Sequence, residues 1–487
     1  MYDVAIIGAG VTGASIARRL SAYELSVVLL EKECDVSFGV SKANSGIIHG
    51  GFHHDTSTLK AALEVKGNIM FDNLKKELHF PFTRCGILVA AFSVEEMRTV
   101  ERLYSQGVAN GIIGMELCNR ERILSLEPKL NPDVVGGLHA PAGGIIEPYR
   151  FVFSLVESAK KNGVEIKLNW KVTKARTATQ PSECYEITSQ TGETLQAKHI
   201  INAAGLYADR ISAIFGAEEY TIVPRKGEEF LMDKNAKSFT GKVIFPVPSP
   251  VSKGVLVIPT VEGTSMVGPT AIEAGDKEDV ATTRENFEKV FYAARRLVPA
   301  VSERDIITSF AGLRPTLEGN DFYIDLSKKA PRFIHVAGIQ SPGLTAAPAI
   351  ADYVKDLLKK GGQRLVEKAD FIPELKATPR VRELEHMEAD ELIRKEPSYG
   401  EIVCRCEQVS EAEIVTAIKK GHTTLDGIKF YTRAQMGRCQ GGFCTYKILK
   451  IILRETGCSI EAITKKGGKS TVIMSKIGAL PLTGGAE

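Results

Sequence analysis

The chain opens on a pattern that leaves few choices of fold. Residues 4–7, Val-Ala-Ile-Ile, are a short apolar run that suits a strand buried on both faces. Gly8-Ala9-Gly10-Val11-Thr12-Gly13 follows at once as G-x-G-x-x-G. A helical stretch over 14–20 comes next, then a second apolar strand over 26–30 that ends at Glu31. A lone G-x-G-x-x-G is weak. Strand, glycines, helix, strand and acid in this order specify a βαβ unit that holds a dinucleotide. Gly8 permits the tight turn, Gly10 lets a pyrophosphate approach the backbone, and Gly13 lets helix and strand pack closely. The helix N-terminus faces the phosphates, and Glu31 accepts from a ribose hydroxyl.

Three later stretches belong with this one. Residues 37–51, Ser-Phe-Gly-Val-Ser-Lys-Ala-Asn-Ser-Gly-Ile-Ile-His-Gly-Gly, are small, polar and glycine-rich, and suit a loop laid over a cofactor. Residues 200–209 read as an apolar strand ending in small residues, then a helix start. Residues 333–336 are another strand, followed by Gly338-Ile339-Gln340-Ser341-Pro342-Gly343-Leu344-Thr345 and a long helix over 346–360. The two ends of this region therefore meet at one cofactor. Between them the pattern predicts helices over 58–78, 93–110, 149–162 and 282–297. It predicts strands over 86–92 and 164–173, a meander over 184–200, and more strands from Pro224 to Pro269.

At 487 residues more than one domain is expected. A net charge of +3, with no basic run carrying interleaved aromatics, speaks against nucleic acid. No apolar run reaches the roughly 18 residues of a membrane span, and the nucleotide motif occupies the place of a signal sequence. A cytoplasmic chain is expected, with peripheral membrane association left open. Five of the nine cysteines are scattered and read as reduced thiols.

Ser45-Gly46-Ile47-Ile48-His49-Gly50-Gly51 followed by Thr58-Leu59-Lys60-Ala61, together with the segments above, resembles the FAD-dependent oxidoreductases of the D-amino-acid-oxidase-like superfamily. Within it, residues 1–365 are similar to glycerol-3-phosphate dehydrogenases and oxidases and to L-2-hydroxyglutarate oxidases. The resemblance implies an α/β fold: a Rossmann-like FAD domain interleaved with an α+β substrate domain on an antiparallel sheet. It implies cofactor contacts at Gly8, Gly10, Thr12, Gly13, Glu31, Lys32, Ser41, Asn44, Ser45, Gly46 and Ile48. Downstream it adds Val172 near the adenine, Ala204, Gly205, Gly338, Ser341, Gly343, Leu344 and Thr345.

Hydride transfer from an alcohol to FAD leaves the protein to supply a base and an anion site. His49 is the candidate base, since imidazole titrates near working pH and the matching histidine is implicated in the resembled family. His53 and His54 read as surface or pocket-rim residues. Arg314, in Phe310-Ala311-Gly312-Leu313-Arg314-Pro315-Thr316, is held extended by Pro315 and suits a bidentate phosphate or carboxylate contact. The matching arginine binds the substrate anion in that family. Ser45 and Ser341 add hydroxyls, and Arg225 and Lys226 are alternative anion contacts.

The second chemical site lies downstream. Residues 366–399 are charged and apolar-poor, with Pro373, Pro379 and Pro397, and read as a linker. Cys404 and Cys406, then Cys439 and Cys444 after two predicted helices, suit zinc or an iron–sulfur cluster; free thiols are the bland alternative. Met436-Gly437-Arg438-Cys439-Gln440-Gly441-Gly442-Phe443-Cys444 closely resembles the bacterioferritin-associated-ferredoxin-like domain, which implies a small helical 2Fe–2S domain over 400–457. The tail, 458–487, carries no signal. The resemblances together imply an FAD dehydrogenase taking a small anionic hydroxy substrate and passing single electrons to a partner subunit or quinone. sn-Glycerol 3-phosphate is the preferred substrate and L-2-hydroxyglutarate the alternative. A non-catalytic electron-transfer subunit is the reading from another class.

Overall fold

The strand Tyr2–Ile7 lies between Val27–Leu30 and Thr194–Asn202 and runs parallel to both. Glu165–Lys167 extends this set beyond Val27–Leu30, and Phe333–Ala337 beyond the far half of Thr194–Asn202, again parallel. The near half of Thr194–Asn202 pairs antiparallel with Cys184–Ser189, which continues to Val172–Ala178. One long strand thus serves both the predicted meander and the parallel sheet. Ile7, Leu30, Ile187, Ile200 and Phe333 share a buried cluster. Burying each such side chain stabilises the fold by about 1.5–3 kcal/mol. The structure, a computed structural model, describes residues 1–178, 184–249 and 252–474.

The helices fall close to their predicted places. Thr58 caps Leu59–Leu78 through the Ala61 amide. Ser93 caps Val94–Ala109 through Glu96, whose carboxylate in turn accepts from the Phe92 amide at 2.6 Å. Helix Gly343–Lys360 starts three residues earlier than predicted, at the glycine itself. It passes so near Leu59–Leu78 that a Cβ on Gly67 would lie 2.1 Å from the Thr345 carbonyl.

A second, nine-stranded sheet draws on residues both before and after the strands 165–202. The chain therefore crosses between the two sheets repeatedly, as interleaved domains require. This sheet is mixed rather than wholly antiparallel: Val243–Pro246 pairs parallel with Ile87–Ala91, because two distant segments meet there instead of a hairpin. Its longest pairing joins Val223–Met232 to Ile306–Thr316. Among the described residues no helix is long and apolar enough to cross a membrane.

The chain divides into two units, Met1–Lys376 and Ala377–Glu487. The segment expected to be a linker is divided between the two units. Up to residue 375 it is tied to the first unit, with the Lys368 amide donating to Ala22 O and the Leu375 amide to Glu77 O. From Ala377 it belongs to the second unit, carries helix His386–Lys395, and places Arg382 Nη1 3.0 Å from Glu407. A low apolar content concealed this because polar contacts do the anchoring.

In the second unit a short hairpin, Ile402–Cys404 with Val409–Ser410, leads into Glu411–Lys419. Ser410 and Glu413 form a reciprocal capping box there, typically worth about 1 kcal/mol. Leu425–Thr432 and Thr445–Thr456 complete the helices, and Ile414, Ile428, Ile448 and Ile452 are buried among them. The start of the tail folds back, Lys465 O accepting from the Asp426 amide at 2.8 Å. Residues 475–487, with Gly484 and Gly485, lie outside the described residues.

Candidate functional site

Three loops follow the carboxyl ends of three neighbouring parallel strands: 8–10 after Ile7, 203–205 after Asn202 and 338–342 after Ala337. That edge is where open α/β sheets bind ligands. Gly8 has φ +105°, and a Cβ there would lie 2.5 Å from Ala203 O. A Cβ on Gly13 would lie 1.9 Å from Gly8 O, so the third glycine sets the helix–strand approach. Gly10 differs: its Cβ would meet only Ser41 Oγ, at 3.0 Å. Its outer face is therefore clear of backbone, as a pyrophosphate requires. Ser41 Oγ accepts from the Val11 amide at 2.8 Å, in the first turn of Val11–Leu20, and Thr12 follows it. Glu31 is buried and accepts from the Ala9 and Glu33 amides at 2.7 and 3.0 Å, while burial raises its pKa.

The loop over this edge is shaped by its own polar groups. Asn44 donates to Ser41 O and accepts from the Gly46 amide. Gly46 has φ +63°, with Ile146 O where a Cβ would stand, and Ile48 is buried. Gly205 and Gly338 also take positive φ, and no atom lies within 4 Å of where a Gly205 Cβ would be. Gly343, Leu344 and Thr345 form the first turn of Gly343–Lys360. Val172 sits in the cluster with Ile7 and Leu30. Lys32 pairs with Glu33 and lies 4.3 Å from the Tyr207 ring centre. These residues fit FAD: a clear second glycine, an open helix end, and a carboxylate at the strand end.

His49 stands where loop and helices meet. Its amide donates to Thr345 Oγ1 at 2.9 Å, and its carbonyl accepts from Asn68 Nδ2 at 2.7 Å. Nε2 lies 3.1 Å from Ser341 Oγ, and Nδ1 is buried without a partner. Burial, then the Lys253 and His54 charges, hold its pKa well below the ordinary value, so the ring is neutral at pH 7. Lys253 Nζ approaches both Ser341 Oγ and His54 Nε2, at 3.4 and 3.5 Å. Burial lowers this lysine to about 8, with Glu64 opposing and Arg314 reinforcing the shift. His53 packs against Phe52 and Phe245, and both its ring nitrogens are buried without partners.

Arg314 faces Arg225 in strand register, which places both on one face of the sheet. Period-2 alternation adds Gly227 and Glu229 to that face and sends Lys226 and Glu228 to the other. The Arg314 guanidinium lies over Gly227, where a Cβ would be 2.6 Å from Nη2, and Nη1 donates to Thr270 O at 3.2 Å. Lys226 instead pairs with Asp279 at 2.8 Å and donates to Ala281 O. It is removed from the anion contacts because the strand turns it away. Glu229 is 3% exposed; Oε1 accepts from Ser45 Oγ at 2.7 Å and Oε2 has no partner. Burial pushes its carboxyl up to about 7, against Ser45 and Arg314. Lys253 and Glu229 escaped the sequence reading because neither lies in a motif. For Glu229 the alternation from Arg225 was an available signal.

In the second unit the thiols come as two pairs. Cys406 Sγ and Cys439 Sγ are 3.6 Å apart, and Cys404 hydrogen-bonds with Cys444. That bond, above all, lowers Cys404 to about 6 and raises its partner. Among the described residues no single point gathers three or more metal-ligating side chains. Two pairs match two irons with two thiolates each, whereas tetrahedral zinc needs its ligands around one point. Gly437 lets the loop close: a Cβ there would lie 2.3 Å from Cys406 Cβ.

Comparison with known proteins agrees on both units. Residues 3–357 match the family described as FAD dependent oxidoreductase, and residues 402–454 the BFD-like 2Fe–2S binding domain. The chain is 44% identical to a glycerol 3-phosphate dehydrogenase of Caloramator mitchellensis, over 96% of each protein. It is 27% identical to the mitochondrial L-2-hydroxyglutarate dehydrogenase of Homo sapiens, over 73% of this chain and 88% of that one. The solved structure of dithionite-reduced L-alpha-glycerophosphate oxidase from Mycoplasma pneumoniae with FAD bound matches with a TM-score of 0.74 at 32% identity. It covers 78% of this chain and 99% of that one. With the glycine cradle and the paired thiols, these likenesses place the chain in the family of FAD-dependent oxidoreductases, carrying FAD and, in its second unit, a 2Fe–2S cluster.

Proposed function

We propose that this chain oxidises sn-glycerol 3-phosphate to dihydroxyacetone phosphate and delivers the electrons, one at a time, to an external acceptor. Bound FAD supplies the hydride acceptor, and the 2Fe–2S centre supplies a one-electron outlet. The observation that carries the reading is a neutral, buried His49 held beside Ser341 and Lys253, with Arg314 on the facing sheet. His49 takes the C2 hydroxyl proton; its neutral ring has one unprotonated nitrogen to do so. Ser341 contacts the ring, and Thr345 and Asn68 fix the His49 backbone. Arg314 and Lys253 hold the phosphate, and because both are half-buried that attraction is less screened by water. Arg225 shares the face of Arg314 and is the next anion contact.

The relative at 44% identity favours glycerol 3-phosphate over L-2-hydroxyglutarate. A base with two half-buried cations argues against a subunit that only relays electrons. The reaction belongs in the cytosol, with a redox protein or quinone as acceptor. Anaerobic addition of glycerol 3-phosphate should bleach the flavin at low concentration, and L-2-hydroxyglutarate should not. The opposite order would reassign the substrate, and bleaching by neither would leave only electron transfer.

A further inference from the structure

The four thiols of the second unit are unevenly covered. Cys404 and Cys444 are buried, Cys439 is half-buried and Cys406 is exposed. Phe443, next to Cys444, is 84% exposed, and Tyr446, at the start of Thr445–Thr456, is 64% exposed. Arg405, Arg438, Lys447 and Lys450 are exposed in the same two segments, with Lys450 Nζ 4.5 Å from the Tyr446 ring centre. The one carboxylate in residues 402–410 and 436–450 is Glu407. It is 2% exposed and bonded to Arg382 and Arg433, both at 3.0 Å. The rim of the thiol site is therefore cationic, and it carries two aromatic side chains in water.

Cations near four thiolates offset their charge, but that purpose does not call for an exposed phenylalanine and tyrosine. Aromatic side chains and arginine are what protein interfaces concentrate, and electron-transfer encounters are small interfaces. Resting on the electron route proposed above, we propose that this rim is the docking face for a one-electron acceptor protein. That partner has an acidic surface around an accessible redox centre. Opposite charge steers the encounter, and Phe443 and Tyr446 make the dry contact over the cluster ligands. A lipid surface fits less well. Helix Thr445–Thr456 buries Ile448, Leu449, Ile451 and Ile452 within its own unit, so it has no apolar face to lay into a membrane. Each substrate oxidised releases two electrons and two protons. The electrons leave singly through the cluster, reducing two acceptor molecules, and the protons pass to water.

The test uses the holoenzyme with glycerol 3-phosphate and two one-electron haem acceptors, acidic cytochrome b5 and basic cytochrome c, followed by stopped-flow. Wild type should reduce cytochrome b5 faster, and salt should slow that reaction. Lys447→Glu with Lys450→Glu should slow cytochrome b5 reduction tenfold or more and speed cytochrome c. Cluster absorbance and flavin reduction by substrate should not change. Phe443→Ala should slow both acceptors several-fold. The neutral pair Lys447→Gln with Lys450→Gln should fall between, which keeps the test open if the glutamates unfold the unit. A cytochrome b5 rate indifferent to salt and to both pairs would overturn the proposal. So would a slowed flavin-to-cluster step within the chain, which would turn this rim inward. Binding of the wild type, but not the variants, to anionic phosphatidylserine vesicles would replace the protein partner with a membrane. Cytochrome b5 reduction that survives Cys439→Ser would instead overturn the electron route, and the docking face with it.

Discussion

The flavin cradle and the thiol site solve the same problem with different materials. In the first unit, loops after Ile7, Asn202 and Ala337 converge from far apart in the chain, and what they offer is mostly backbone. Segments close up where a Cβ at Gly8 or Gly46 would meet the Ala203 or Ile146 carbonyl, and at Gly10 the backbone is left clear of all but Ser41 Oγ. In the second unit four side chains do the holding, all between Cys404 and Cys444, on a hairpin and the turn before one helix. A backbone site fails when atoms are added, and a thiolate site fails when atoms are removed. The first needs the whole sheet in register before it exists; the second needs only its own small unit.

The largest effect should come from adding one methyl group to the cradle. In Gly13→Ala the new Cβ would overlap Gly8 O, a backbone atom that cannot swing aside. The strand–helix junction must open, at a cost of about 1–3 kcal/mol or more. The purified variant should carry no FAD and melt lower even as apoprotein. Gly10→Ala sharpens the contrast, since its Cβ meets only Ser41 Oγ. It should melt like the wild-type apoprotein yet bind FAD weakly, as fluorescence titration would report. Equal melting temperatures for both apo-variants would break the distinction between a structural and a ligand-facing glycine.

Removing atoms should do the matching damage in the second unit. Cys439→Ser should abolish the 2Fe–2S absorbance and the acid-labile sulfide. Anaerobic bleaching of the flavin by substrate should persist, because the two units are separate. Loss of bleaching as well would show that the flavin site depends on the loaded cluster. Stoichiometric zinc without sulfide in the wild type would replace the cluster altogether.

The contrast also explains what could be read from the sequence. The βαβ unit and the two cysteine motifs are local: their spacing is fixed by turns and by reach, so the chain displays them in order. Arg314 was visible beside Pro315, but its neighbours were not. Arg225 and Lys226 look alike in a row, and only the strand's alternation sends one toward Arg314 and the other to Asp279. Lys253 sits among serines and prolines in a segment that resembles any surface loop. It matters only because folding carries it to Ser341 and His54. The segment from Ala377 to Tyr399 hides its contacts for a related reason. It is anchored by charge, through Arg382 on Glu407, and apolar counting does not register that.

In the function proposed above, His49 and Arg314 divide the work between rate and affinity. His49→Ala removes a group that acts as the proton leaves. Its limiting rate of anaerobic flavin reduction should fall about 10²-fold or more, with little change in Kd. Arg314→Ala removes an interaction present before and during the reaction. Its Kd should rise by an amount worth roughly 1.5–3 kcal/mol, the range for hydrogen bonds to charged groups. Stopped-flow reduction across substrate concentrations separates the two quantities. A His49→Ala enzyme with the wild-type limiting rate would take the histidine out of the chemistry. An Arg314→Ala enzyme with unchanged Kd would move the anion to Arg225 and Lys253.

The smallest effect expected is also the one that tests the cation no motif revealed. Lys253 is lowered to about 8, so its charge is present below that pH and lost above it. The groups around it pull in known directions: burial and Arg314 favour the neutral amine, and Glu64 favours the cation. His49 and His54 are held neutral throughout this range, His54 at about 2, and contribute no step. Glu229, at about 7, adds negative charge beside Arg314 as it ionises, which weakens anion binding in the same direction but earlier. The phosphate monoester has a second pKa of about 6, so above pH 7 its charge is nearly constant. Substrate Kd should therefore rise as pH increases, first gently through 7 and then steeply through 8. One unit above that lysine pKa the loss should approach about tenfold, the limit if only the charged form binds. Lys253→Met should bind weakly at every pH and lose the upper step while keeping the lower. Glu229→Gln should keep the upper step and lose the lower. A wild-type Kd that stays flat from pH 7 to 9 would mean that Lys253 does not touch the anion and that Arg314 holds it alone.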